Sequence, residues 1–139
     1  MTAHAFEQEP ESGEVRIHVE GETLEDVFVE AARALSELIG SPTEDPPGPW
    51  QHVIVDSVNR DALLVAYLND LVERSEIDHL LYAEVLIESI TPAELRAQIR
   101  GVPIAQTHTH VKIATMHGLR IGSGPGGLTA TVVLEVAKP

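Results

Sequence analysis

The chain has 139 residues, no cysteine and 43% apolar residues, which suits a single domain long enough to bury one real core. Its 22 Asp and Glu against 9 Lys and Arg give a formal net charge of −13, spread along the chain, so a direct grip on a phosphate backbone is not expected. Absent cysteine excludes disulfides, thiol catalysis and zinc–thiolate sites; no apolar run reaches membrane-spanning length and the start lacks a signal-peptide layout, so a cytoplasmic protein is expected.

Residues 1–13 are polar and without periodicity, which predicts a flexible segment ahead of one domain over 14–139. Val15, Ile17 and Val19 then alternate with polar neighbours from Glu14 to Glu20, the pattern of a strand with one buried face, and Gly21 ends it. Thr23 and Asp26 make a capping-box start for a helix on which Leu24, Val27, Phe28, Ala31, Leu35 and Leu38 share a face before Gly40. Each large apolar residue on that face contributes roughly 1.5–3 kcal/mol if fully buried.

Ser41–Trp50 holds four prolines and a glycine and must be a loop, with Trp50 packing at the core edge. Gln51–Val58 reads as a strand and Asn59–Arg74 as a second helix, with Leu64, Tyr67, Leu68 and Leu71 on its apolar face. A hairpin of Leu80–Ile90 and Glu94–Gly101 turns at Thr91-Pro92. Strands at Val111–Met116 and Leu128–Val136 follow, joined by a Gly-rich turn over Gly122–Gly127. That glycine run lacks the Lys-Ser or Lys-Thr of a P-loop and opens a strand, so it is a hairpin connection. The sum is an α+β fold: a mixed β-sheet packed with two main helices.

In His108–Leu119 a lysine sits in a β-patterned run, where its ammonium group calls for a partner. His108, His110 and Lys112 alternate and would share a face of an extended strand. A His-x-His pair can hold a transition metal, which defines one alternative: a small metal-dependent hydrolase using His108 and His110 with a glutamate as general base.

Gly21-Glu22-Thr23-Leu24-Glu25, Tyr67-Leu68-Asn69-Asp70-Leu71, Gly101-Val102-Pro103 and Val111-Lys112-Ile113-Ala114-Thr115-Met116-His117-Gly118-Leu119, in this order, resemble the archease family from Glu14 to Val136. The resemblance implies a two-layer α+β fold and a non-enzymatic partner of an RtcB-type RNA ligase, the manganese- and GTP-dependent enzyme of tRNA splicing and RNA repair. Family members promote guanylylation and turnover of the ligase, with divalent metal handling as the implied means. The family's metal-site aspartates fall on Glu14 and on Glu135 beside Val136, and its motif histidine on Glu11, so this chain carries glutamate at all three positions. Lys112 and His117 match the family's lysine and histidine and are expected at the metal-site carboxylates or the ligase surface. The implied cofactor is a hard cation, calcium or else manganese or magnesium, since carboxylate oxygens suit those ions. A second alternative is a diverged, chaperone-like interaction module that binds no metal.

Overall fold

The computed structural model describes residues 2–9 and 12–137. In chain order the elements are β1 (Ala3–Glu9), β2 (Glu14–Gly21), α1 (Leu24–Ile39), β3 (Gly40–Pro42), β4 (Gln51–Asp56), α2 (Arg60–Asp78), β5 (Leu80–Ile90), β6 (Glu94–Thr107), β7 (Val111–Gly124) and β8 (Gly127–Val136). One sheet has the order β1-β2-β8-β7; in the second, β6 pairs with β3 and β4 and also with β5. Helix α1 packs on β2 and β5, and α2 on β7, β5 and β4, so both helices share their apolar faces with both sheets.

The α+β class is as expected, but the sheet is not mixed: every strand pairing among the described residues is antiparallel. Hairpins link β1 to β2, β5 to β6 and β7 to β8, and a tight turn permits only antiparallel neighbours. Within the segment expected to be flexible, Ala3–Glu9 forms a strand. Strand β1 pairs along its whole length with β2, from Ala3 opposite Glu20 to Glu9 opposite Glu14, so the folded unit starts well before Glu14. Its only half-buried side chains from Thr2 to Gln8 are His4 and Phe6. Polar bonds therefore hold it in place, among them His18 Nε2 to Glu7 Oε1 at 2.9 Å.

Helix α1 begins as its sequence dictates. The Thr23 hydroxyl accepts from the Asp26 amide and the Asp26 carboxylate accepts from the Thr23 amide, both at 3.2 Å. Helix α2 is capped by Asn59, whose side chain accepts from the Ala62 amide at 2.9 Å. It runs one turn beyond Arg74 and stops where His79 takes a left-handed conformation, φ 57°.

The core joins Ile17, Val19, Phe28, Leu35, Leu64, Tyr67, Leu68, Leu95, Ile99 and Leu134 from both helices and both sheets. Tyr67 is wholly buried, its ring 5.2 Å from that of Phe28 and its hydroxyl donating to the Phe28 carbonyl at 3.0 Å. Tyr67→Phe removes that bond at constant packing and is expected to cost about 1 kcal/mol in urea unfolding; an unchanged midpoint would mean that the bond adds nothing to stability.

Strand β6 runs past Gly101 to Thr107, because the Pro-rich loop docks on it. Gly48 N–H donates to the Gly101 carbonyl and Thr43 N–H to the Pro103 carbonyl, both at 2.9 Å. A side chain on Gly101 would strike Leu80 Cβ at 2.8 Å, which gives Gly101-Val102-Pro103 a structural reason to be as it is. Trp50 is 36% exposed, and the Arg100 guanidinium lies 4.4 Å from its ring centroid, so it serves as a stacking platform at the core edge.

Candidate functional site

Antiparallel pairing of β2 with β8 puts Glu14 directly opposite Glu135, on the same face of the sheet. On the other side of β8, Val111 faces Val136 and Ile113 faces Glu135, so Lys112 is the extra residue of a β-bulge. A bulge re-aims the side chain it inserts, and Lys112 is exposed here. The three charged residues, with Ser12, Gly13 and Val136, line an open cavity of about 350 Å³.

Its lip is Ser12-Gly13, just ahead of β2. The Val136 amide donates to the Gly13 carbonyl at 2.9 Å, and the Glu14 amide donates to Ser12 Oγ at 3.2 Å. Glu14 is half-buried, while Glu135 and Lys112 are exposed. Among the described residues none of these three charges forms an ion pair. The bulge lifts the exposed lysine out of the apolar run in which the sequence places it.

Other expected site residues lie elsewhere. Glu11 is outside the described residues. His117 is exposed in the irregular stretch of β7 between Thr115 and Arg120, next to Gly118 at φ 67°, and does not line the cavity. His108 and His110 precede β7 instead of lying on it, so they share no face with Lys112. The His108 ring bonds Ser41 Oγ through Nε2 at 2.7 Å, and His110 lines a separate cavity with Ser75, Glu76 and His79. The amides of His108 and Thr109 both donate to the Ile39 carbonyl, which bends the chain and breaks the alternation. No group of three or more His, Asp or Glu among the described residues is arranged to hold a metal. The His-x-His site is therefore not formed.

The donor chemistry of the acidic cavity fits a hard cation in an open shell. Two carboxylates face each other across one strand pair, and waters would supply most of the six to eight oxygens that calcium takes. Ser12 and Gly13 were not singled out from the sequence, since their place depends on the unrecognised β1–β2 hairpin.

The profile of the archease protein family matches residues 6–136. The chain belongs to the archease family. Its relatives include the archease of Methanosarcina mazei, 26% identical over 140 residues with 94% of this chain and 95% of the relative covered. The archease of Methanopyrus kandleri is 29% identical over 142 residues, covering 94% and 99%. The solution structure of protein 1598 of Methanobacterium thermoautotrophicum shares the fold at TM-score 0.75 and 22% identity, covering 95% of this chain and 97% of that one. An archease of Thermotoga maritima, described as a possible chaperone, does so at TM-score 0.66 and 18% identity, covering 93% and 95%. The curated relatives are named archeases, and the Thermotoga maritima protein a possible chaperone. No helix among the described residues is long and apolar enough to cross a membrane.

Proposed function

We propose that this archease activates an RtcB-type RNA ligase in tRNA splicing and RNA repair, promoting guanylylation and turnover of the ligase, and that Glu14 and Glu135 handle a divalent cation in doing so. The observation behind this reading is the convergence of Glu14, Glu135, Val136 and Lys112 on one cavity, brought there by the β2–β8 register and the β7 bulge. Glu14 and Glu135 would hold the ion, calcium or else manganese or magnesium, with waters and a main-chain oxygen at Val136 completing the shell. The bound ion would supply positive charge at a surface otherwise strongly negative. Lys112, at the rim, opposes tight retention of a cation and suits an ion that is passed on. The ligase is the cytoplasmic partner, and RNA makes no direct contact with this acidic chain.

The test is multiple-turnover RNA joining by an RtcB-type ligase from the same source, with and without this protein, and with the Glu14→Ala/Glu135→Ala double variant. The wild type is expected to stimulate joining. The double variant is expected to lose the stimulation and to keep its melting temperature, since neither carboxylate is buried or ion-paired. Stimulation that survives in the double variant would leave the partner and remove the acidic site, which is the metal-free chaperone-like module. No stimulation by the wild type would overturn the activator reading.

A further inference from the structure

His4 fastens the edge strand β1 to α1. His4 Nδ1 lies 2.5 Å from Glu30 Oε2, and His4 Nε2 lies 2.7 Å from Glu37 Oε2. An ionised carboxylate only accepts hydrogen bonds, and a neutral imidazole has a single N–H to give. A neutral His4 would thus satisfy one glutamate and turn a lone pair toward the other. Only the imidazolium can hold both.

Glu30 is the one fully buried charged residue among those described, and Arg33 Nη1 donates to its second oxygen at 3.2 Å. Burial raises the Glu30 pKa, but the bonds from His4, Thr2 and Arg33 and the His4 charge outweigh it and hold the carboxyl below its usual range. Burial likewise lowers the His4 pKa, and the bonds and charges of Glu30 and Glu37 outweigh that in turn, holding the ring above the ordinary imidazole value. Strand β2 adds no charge here: Val19 lies opposite His4, with Ile17 and Gly21 as its neighbours on that face. From β1 itself the ring meets only Phe6, edge-on at 5.4 Å.

Strand β1 buries little of its own, and Ser12 and Gly13, between it and β2, are the lip of the acidic cavity. We propose that β1 is a proton-held strap: its hold on α1 is complete while His4 bridges Glu30 and Glu37 as an imidazolium, and it loosens, easing the opening of the Ser12–Gly13 lip, when His4 loses its proton. This is independent of the ligase reading and needs no metal. Since the folded His4 pKa is raised, its contribution is complete below the free value of 6.5 and is lost as pH rises through the folded value. The lowered Glu30 pKa sets the acid limit: its contribution is present above 4.5 and is lost as pH falls through the folded value. The strap's hold is complete between these limits.

The test is NMR on the full chain, following the His4 ring nitrogens and the exchange of β1 and Val136 amides between about pH 6 and about pH 9. Expected are two protonated ring nitrogens near neutral pH, a His4 midpoint above 6.5, and about a tenfold rise in β1 and Val136 exchange beyond ordinary base catalysis, with β5 and β6 unaffected. His4→Gln should abolish the step. Glu37→Gln leaves the buried Glu30 pair in place and should lower the His4 midpoint without unfolding the chain. A His4 midpoint at or below 6.5 would overturn the proposal. So would β1 exchange with no pH step, or a Glu37→Gln midpoint equal to that of the wild type.

Discussion

Alanine in place of Gly127 is expected to destabilise the protein by about 3 kcal/mol and to lower its melting temperature by roughly 10 °C. Gly127 opens β8 at φ 127°, a conformation that side chains rarely adopt. A Cβ there would stand 2.7 Å from the Gly21 carbonyl oxygen and 2.8 and 2.9 Å from the Cα and carbonyl oxygen of Glu22. All three atoms are backbone, at the junction where β2 hands over to the capping box of α1, so the strain has no flexible group to absorb it. Gly126, one residue earlier, has nothing within 4 Å of its notional Cβ and no positive φ. Gly126→Ala should therefore change stability by less than about 0.5 kcal/mol. Equal melting temperatures for the two variants would show that the β8 start is free to shift and that the close approach to Gly21 is unimportant.

Asn69→Ala is expected to cost about 2–3 kcal/mol, because it strips two hydrogen bonds at once from a buried stretch of backbone. The Asn69 amide donates to the Ala114 carbonyl at 3.1 Å, and its oxygen accepts from the Ala114 amide at 2.7 Å. Strand β7 is the edge of its sheet, and Ala114 points its peptide groups away from β8. Helix α2 thus supplies, through one carboxamide, the pairing that a further strand would give. Asn69→Asp should be no better, since it loses the donor and sets a negative charge against the Ala114 carbonyl. Urea unfolding together with exchange of the Ala114 amide reads the effect. Full stability, or an Ala114 amide as protected as in the wild type, would show that water replaces the carboxamide. Ala114 lies two residues from Lys112, so the loss should also loosen the bulge at the acidic cavity.

The elements with a strong period were legible before the structure. Val15, Ile17 and Val19 on β2 and the apolar stripe of α1 each bury the face that their spacing assigns. Thr23 and Asp26 cap α1 as their spacing predicts. Strand β1 was not legible, because from Ala3 to Gln8 only His4 and Phe6 are half-buried and its attachment to α1 depends on glutamates some thirty residues away. Strand direction escaped for a different reason: alternation reports which face is buried but not which way a neighbour runs. Glu14 and Glu135 came from the family resemblance, and the β2–β8 register sets them face to face. The bulge at Lys112 could not be read from one strand, since an extra residue is defined only by what it is counted against. The same limit misled the reading of His108 and His110, whose alternation with Lys112 is interrupted by the bend at Ile39.

The placement of β8 bears on when the protein can become competent during its synthesis. It is an interior strand, flanked by β2 and β7, yet it follows every other strand in chain order. As the chain leaves the ribosome, β4, β5 and β6 can close with both helices while β2 still shows an empty flank where β8 will later lie. Pairing across so long a separation is slow, because the loop must close before any contact rewards it. A nascent or prematurely ended chain would thus carry half of a sheet and no acidic cavity. Glu14 is made long before Glu135 and acquires its counterpart only when Glu135 arrives.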